Sequence, residues 1–263
     1  MGSPSSKAPL QAFIAACLLF ATPAIVLANT GLTSVSDAEQ KVFRFNVGPN
    51  GYPPYLITGN DEPGGIMWSV VDEIGRRLGY LVEAHQFPHK RVEQMLVEGK
   101  LDGTARAKEW TERPQDFVFT DPIVKSEEVI FFPSDSPHKF EVIEDLFSLT
   151  IVTHLGYRYP NLEPHFASGE IKRFDVTSDR NVLNYTMKGQ ELDAAVSDRL
   201  VGQWILRQEG IQNKFRASSA SISEVGYRIM LRPGMETFAE AFNRELANMR
   251  SNGELDDILS RYR

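Results

Sequence analysis

The chain has one cysteine, Cys17, inside an apolar N-terminal stretch, and none in the body of the sequence. The body therefore has no disulfide, no cysteine-bound metal and no thiol nucleophile, and its fold rests on core packing alone. Histidine is scarce too, and the most closely spaced pair, His85 and His89, is split by Pro88, which breaks the helix that would align them on a metal. No Gly-x-Ser-x-Gly elbow, phosphate loop or His-Glu-x-x-His motif is present, which removes the usual hydrolase, nucleotide-hydrolase and zinc-protease readings. No cofactor or metal is expected.

Basic residues are outnumbered, 28 Lys and Arg against 35 Asp and Glu, for a net charge of −7. That balance argues against sequence-independent nucleic-acid binding and against adhesion to anionic lipid. Long apolar runs are missing as well: Ala12 to Leu27 spans about 16 residues with Pro23 inside it, short of the roughly 20 a spanning helix needs. With Lys7 ahead of it and Val26-Leu27-Ala28 behind, this segment reads as a signal peptide over 1–28 and implies a periplasmic protein. Ile14-Ala15-Ala16-Cys17 has the look of a lipoprotein box, but the apolar residues follow it instead of preceding it, so no lipid is expected there.

What remains is ordinary globular material, 42% hydrophobic and 24% charged, enough to build a large core. Residues 29–40 are small and polar and read as a flexible leader. From Val42 on, strand-like and helix-like segments alternate, the signature of an α/β fold. Strands are expected at 42–47, 80–87, 129–132, 149–153, 192–196 and 225–231. Helices are expected to end at Gly79, Gly99, Gly189 and Gly210. A capping-box spacing at Thr237 and Glu240 precedes an apolar stripe of Phe238, Phe242, Leu246 and Met249.

Tyr52-Pro53-Pro54-Tyr55, the Gly65 to Gly79 helix span, Gly99-Lys100-Leu101-Asp102, Glu112-Arg113 with Phe119-Thr120-Asp121-Pro122, Leu155-Gly156-Tyr157-Arg158-Tyr159 and Leu192 to Asp198 occur in that order. Together they resemble the family 3 periplasmic solute-binding proteins, the amino-acid receptors of ABC importers, over about residues 42–262. The resemblance implies a two-lobed type II periplasmic binding protein fold with two crossing hinge strands. Lobe one would comprise 41–131 and 229–263, and lobe two 132–228. It also implies a monomer that closes over an amino acid or related small carboxylate and hands it to an inner-membrane ABC permease, without catalysis.

Ligands of open α/β sheets sit at the carboxyl ends of the strands, and the candidate residues lie there. Tyr52 and Tyr55 form an aromatic wall on a proline-stiffened loop, or a packed turn. Arg113 matches the family's carboxylate-gripping arginine, a role suited to a bidentate guanidinium; one residue is missing between Asp102 and Arg113 relative to the family spacing, so Arg106 competes for it. Asp198 stands where the family places the acceptor of a ligand ammonium, and equally where a helix needs its N-cap. Gly156, Tyr157 and Arg158 replace the family's small hydroxyl residues, and His89 stands where relatives present tryptophan. The position that recognises basic side chains falls on Pro49, which disfavours a cationic side chain. The rival readings are a cyclohexadienyl or arogenate dehydratase-like enzyme using Glu109 or Glu112 as its acid, and a sensor that docks on a receptor instead of a permease.

Overall fold

The computed structural model describes residues 40–59, 62–188 and 191–262. The expected signal peptide with Cys17, the leader up to residue 39 and the Gly189 helix stop lie outside the described residues.

The chain enters through β1 (Lys41–Asn46), then α1 (Ile66–Arg77), β2 (Tyr80–His85), α2 (His89–Val97) and β3 (Gly103–Arg106). β1 runs parallel to both β2 and β3, the arrangement that crossover helices produce. Two 3-10 turns, Lys108–Trp110 and Pro114–Asp116, lead into the short β4 (Val118–Phe119) and the long β5 (Val124–Pro133). The alternation then repeats in β6 (Thr150–His154), α3 (Glu163–Ser168), β7 (Lys172–Val176), α4 (Asp179–Lys188), β8 (Ala194–Asp198) and α5 (Arg199–Glu209). β6 lies parallel to β7 and β8. β9 (Phe215–Leu231) brings the chain back, and α6 (Glu236–Ser251) and α7 (Glu254–Ser260) close it.

The strand order β2-β1-β3-β9-β5-β8-β6-β7 makes two lobes that share β5 and β9. β9 pairs with β3 at Arg228–Leu231 and with β5 from Phe215 to Tyr227, while β5 pairs with β8 at Glu128–Phe131. Between these regions Val124–Glu127 pairs with Glu224–Tyr227 and with no other strand. A two-stranded ribbon therefore connects the lobes, an element that takes a larger twist than strands in the middle of a sheet.

Each half-core follows from its pattern. In α1 Ile66, Met67, Val70, Val71 and Ile74 fall on one face and pack with Phe43 and Phe45 of β1 and with Phe238, Phe242 and Leu246 of α6. In the second lobe successive residues go to opposite faces: Ile130 and Phe132 join Ile151 and Val196 on one side, and Val129 and Phe131 join Val152 and Ala195 on the other. That alternation of fully apolar residues is what a sheet covered on both faces requires.

Asp102 ties the first lobe together. Its carboxylate accepts from the Arg44 backbone N at 2.9 Å, from Arg44 Nε at 2.8 Å and Nη2 at 2.9 Å, and from Arg232 Nε at 2.9 Å. Burial alone would push this carboxyl up, but the two guanidinium groups hold it below the usual carboxylate range.

The expected strands at 129–132 and 225–231 are the apolar parts of longer elements, because β5 and β9 continue into polar stretches whose pairing is fixed by each other. β7 and α3 carried no apolar signal; Lys172–Val176 is an edge strand rich in charge, the composition that protects edges. The capping box does not form: α6 starts two residues earlier, with Met235 in place of Thr237 as N-cap and no side-chain cap, leaving Thr237 inside the first turn.

Candidate functional site

The carboxyl ends of β1, β2 and β3 in one lobe face those of β6 and β8 in the other, and a direct hydrogen bond joins the two edges. Tyr55 Oη donates to Asp198 Oδ2 at 2.8 Å. The loop bearing Tyr55 is held by the start of α1, where the Ile66 and Met67 amides donate to the carbonyls of Pro54 and Tyr55 at 3.0 and 2.8 Å. Gly65 makes that approach possible, since a Cβ there would stand 2.6 Å from the Tyr55 carbonyl oxygen. The Pro53–Pro54 bond in this loop is cis.

Tyr55 has no exposed surface. Its ring stacks on Tyr52 at 5.5 Å and meets the edge of Tyr227 at 5.0 Å, and Tyr227 in turn lies 5.4 Å from Trp110. Burial, reinforced by the negative charge of Asp198, pushes the phenols of Tyr52 and Tyr55 well up, so both are neutral donors. Asp198 is the N-cap of α5: its Oδ1 accepts from the Leu200 and Val201 amides at 2.9 and 3.0 Å, and Ser126 Oγ adds a second donor to Oδ2 at 2.8 Å. Burial raises its carboxyl all the same.

Arg106 closes the first-lobe side. It ends β3 with its side chain only 14% exposed. Its guanidinium contacts neutral acceptors, namely the His89 imidazole, the Trp110 carbonyl and Thr111 Oγ1, and its closest carboxylate oxygen, on Glu93, is 3.9 Å away. A cation removed from water and so weakly neutralised is a strong anion receiver. Because the guanidinium can only donate, His89 accepts; burial and then the Arg106 charge keep its pKa below that of free imidazole.

Arg113 is not brought to this set. It precedes the Pro114–Asp116 turn with its side chain 77% exposed, paired to Asp116 at 3.1 Å. Glu109 and Glu112 are exposed as well. In the second-lobe loop Gly156, in the left-handed region at φ 84°, and Arg158 are exposed. Tyr157 is 39% exposed and stacks on His154 at 4.0 Å; partial burial, then the charges of Asp179 and Glu128, raise its phenol.

Sequence reasoning missed Ser126, Glu128, Asp179, Tyr227 and Trp110. Glu128 is the cross-strand partner of Asp198, and its carboxylate accepts from Ser223 Oγ at 2.5 Å. Ser126 and Glu128 are two apart in β5 and so share one face of the strand, but Lys125 and Glu127 make the other face of this stretch polar too, so no alternation of apolar and polar residues marked them. Burial raises the carboxyls of both Glu128 and Asp179.

The profile of the bacterial extracellular solute-binding proteins, family 3, matches residues 45–263. The chain belongs to this family. Among family 3 solute-binding proteins and their structural neighbours, the arginine-binding extracellular protein ArtP of Bacillus subtilis (strain 168) is 23% identical over 261 residues, 96% of each chain. A histidine kinase sensor domain with similarity to periplasmic binding proteins has a TM-score of 0.65 at 22% identity, covering 85% of this chain and 96% of its own. The ancestral amino acid-binding protein AncCDT-1, a precursor of cyclohexadienyl dehydratase, has a TM-score of 0.64 at 17% identity, covering 84% and 95%. These likenesses give the fold as the two-lobed type II periplasmic binding protein architecture, and family membership gives a small-molecule solute as the ligand.

Proposed function

We propose that this family 3 solute-binding protein is a secreted, monomeric periplasmic receptor that captures an amino acid or related small carboxylate between its lobes and delivers it to an ABC permease. The observation that carries the proposal is Arg106, a nearly buried guanidinium at the carboxyl edge of β3 with no carboxylate in close contact. The ligand carboxylate takes the place of that missing anion, with Tyr52, His89 and Tyr157 around it. The hinge is the ribbon of Val124–Glu127 and Glu224–Tyr227; on this reading the expected limit at 228/229 lies beside it, and the one at 131/132 moves back to it, since Glu128–Phe131 pair with β8 of the second lobe. Ligand contacts to both lobes favour the closed state by their differential affinity.

The exposure of Glu109 and Glu112 supports binding without turnover, since neither is held against a buried substrate. The dehydratase reading retains one foothold, Glu128, an acid that burial keeps more protonated at the site. The likeness of the fold to a sensor domain keeps a receptor-docking role as the alternative to transport.

The test is thermal unfolding of protein that has been unfolded and refolded to remove carried-over ligand, against amino acids, small dicarboxylates, amines, prephenate and arogenate. A ligand that binds only the folded state raises the midpoint. The expected outcome is a shift with an amino acid or carboxylate, without product, that Arg106→Ala weakens by at least about 30-fold in Kd. Product from prephenate or arogenate would replace the receptor reading with the enzyme.

A further inference from the structure

Asp198 has no acceptor position left for a ligand. A carboxylate offers about four lone-pair sites, and four protein donors fill them: the Leu200 and Val201 amides on Oδ1, and the Tyr55 and Ser126 hydroxyls on Oδ2, at 2.8 to 3.0 Å. The residue is 6% exposed. The Leu200 and Val201 side chains that follow it are packed into the core of the first lobe, so the carboxylate sits at a closed seam and not on an open wall. Its fourth donor, Tyr55, comes from the opposite lobe with a fully buried ring gripped by Tyr52 and Tyr227.

We propose that Tyr55 is a specificity-determining residue: by occupying Asp198 Oδ2 from across the cleft it takes the place of a ligand ammonium, so the site selects small carboxylates by their anionic group and does not require an α-amino group. The inference rests on the receptor reading above and names its ligand class as 2-hydroxy and other non-amino carboxylic acids alongside, or ahead of, amino acids. Tyr55 acts through Asp198 and not by touching the ligand. The chemistry around Asp198 agrees with this. Glu128 faces it across the β5–β8 ladder, and two carboxylates so placed repel; the hydroxyl donors stabilise the Asp198 charge without a ligand cation. A phenylalanine at position 55 keeps the ring and removes only the donor, which frees Oδ2 for an ammonium.

The experiment measures Kd by calorimetry for wild type and Tyr55→Phe with matched pairs: L-arginine and 2-hydroxy-5-guanidinovalerate, L-glutamate and 2-hydroxyglutarate, L-leucine and 2-hydroxyisocaproate, L-phenylalanine and phenyllactate. For the pair that binds, wild type is expected to bind the hydroxy acid as tightly as the amino acid, to within about threefold, or more tightly. Tyr55→Phe is expected to shift the ratio toward the amino acid by about tenfold or more, the worth of a hydrogen-bonded charge. A purely structural role would weaken both members of the pair equally and leave the ratio unchanged, and that result overturns the proposal. So does a wild-type preference of tenfold or more for the amino acid. Ser126→Ala, which removes a donor from the same oxygen without touching the aromatic cluster, is the second variant should Tyr55→Phe fold poorly; it is expected to shift the ratio in the same direction. Silence from both members of every pair in wild type and variant, with each protein unfolding cooperatively, refutes the carboxylate-receptor reading and takes this inference with it. Binding with an amino-acid preference refutes the inference alone.

Discussion

Replacing Asp102 by alanine removes the acceptor that joins the edge of β1, the start of β3 and the end of β9. Its side chain is 5% exposed, whereas those of Arg44 and Arg232 are 34% and 37% exposed. Removing one partner of a buried ion pair costs about 3–5 kcal/mol because the other charge is left stranded. Here water reaches both stranded guanidinium groups, so the expected loss is reduced to about 2–4 kcal/mol. For a body of this size that lowers Tm by roughly 5–15 °C. Urea unfolding of wild type and Asp102→Ala gives the difference directly, provided the slope m is unchanged. The pH dependence supplies a second check. A carboxyl whose pKa is lowered on folding stabilises fully above its unfolded value, near 3.9, and loses that contribution as the pH falls through its folded value. The gap between the two proteins is therefore widest near neutrality and narrows only in the acid range below about pH 4. A loss under about 0.5 kcal/mol at neutral pH, the range of an ordinary surface change, would refute the reasoning.

Arg113→Ala is expected to leave stability within about 0.5 kcal/mol of wild type and ligand Kd within about twofold, since its side chain is solvated and paired only to Asp116; calorimetry beside Arg106→Ala decides which arginine holds the carboxylate. Gly202→Ala places a Cβ 2.3 Å from Phe131 Cζ in a ring that is 1% exposed. Overpacking of this kind costs about 1–3 kcal/mol and outweighs the roughly 1 kcal/mol that alanine gains in a helix, so the urea midpoint is expected to fall. Glu128, raised by burial, binds its proton more tightly in the folded protein than in the unfolded chain. Stability from this group therefore declines as pH rises above about 4.3, its unfolded value. Glu128→Gln is expected to gain on wild type between about pH 4 and about pH 7 in urea unfolding, and a constant difference across that range counts against the burial argument.

The family and the two-lobed fold were legible because they rest on many weak signals in a fixed order, from Tyr52-Pro53-Pro54-Tyr55 to the strand ending at Asp198. Individual site residues were less so. Arg113 and Arg106 both carry the right chemistry, and only the path of the chain after β3 decides which guanidinium is buried and which faces water. Both readings of Asp198 pointed to the same carboxylate, but an N-cap is a local signal visible in sequence, whereas the Tyr55 hydroxyl reaches its other oxygen from 143 positions away. The polar parts of β5 and β9 gave no apolar periodicity, so the ribbon between the lobes was invisible to pattern reading even though its apolar ends were not.

That ribbon has a consequence for how the protein can change. Ser126, which donates to Asp198, and Tyr227, which packs on Tyr55, are themselves ribbon residues, paired in the ladder with Val225 and Val124 respectively. On the proposed function, recognition and articulation would thus fall on the same few side chains. On the proposed reading a substitution there would alter both what is bound and how far the lobes swing, so new specificity is expected to be reached more independently through the Gly156–Arg158 loop and the start of α2 at His89, which lie outside the ribbon.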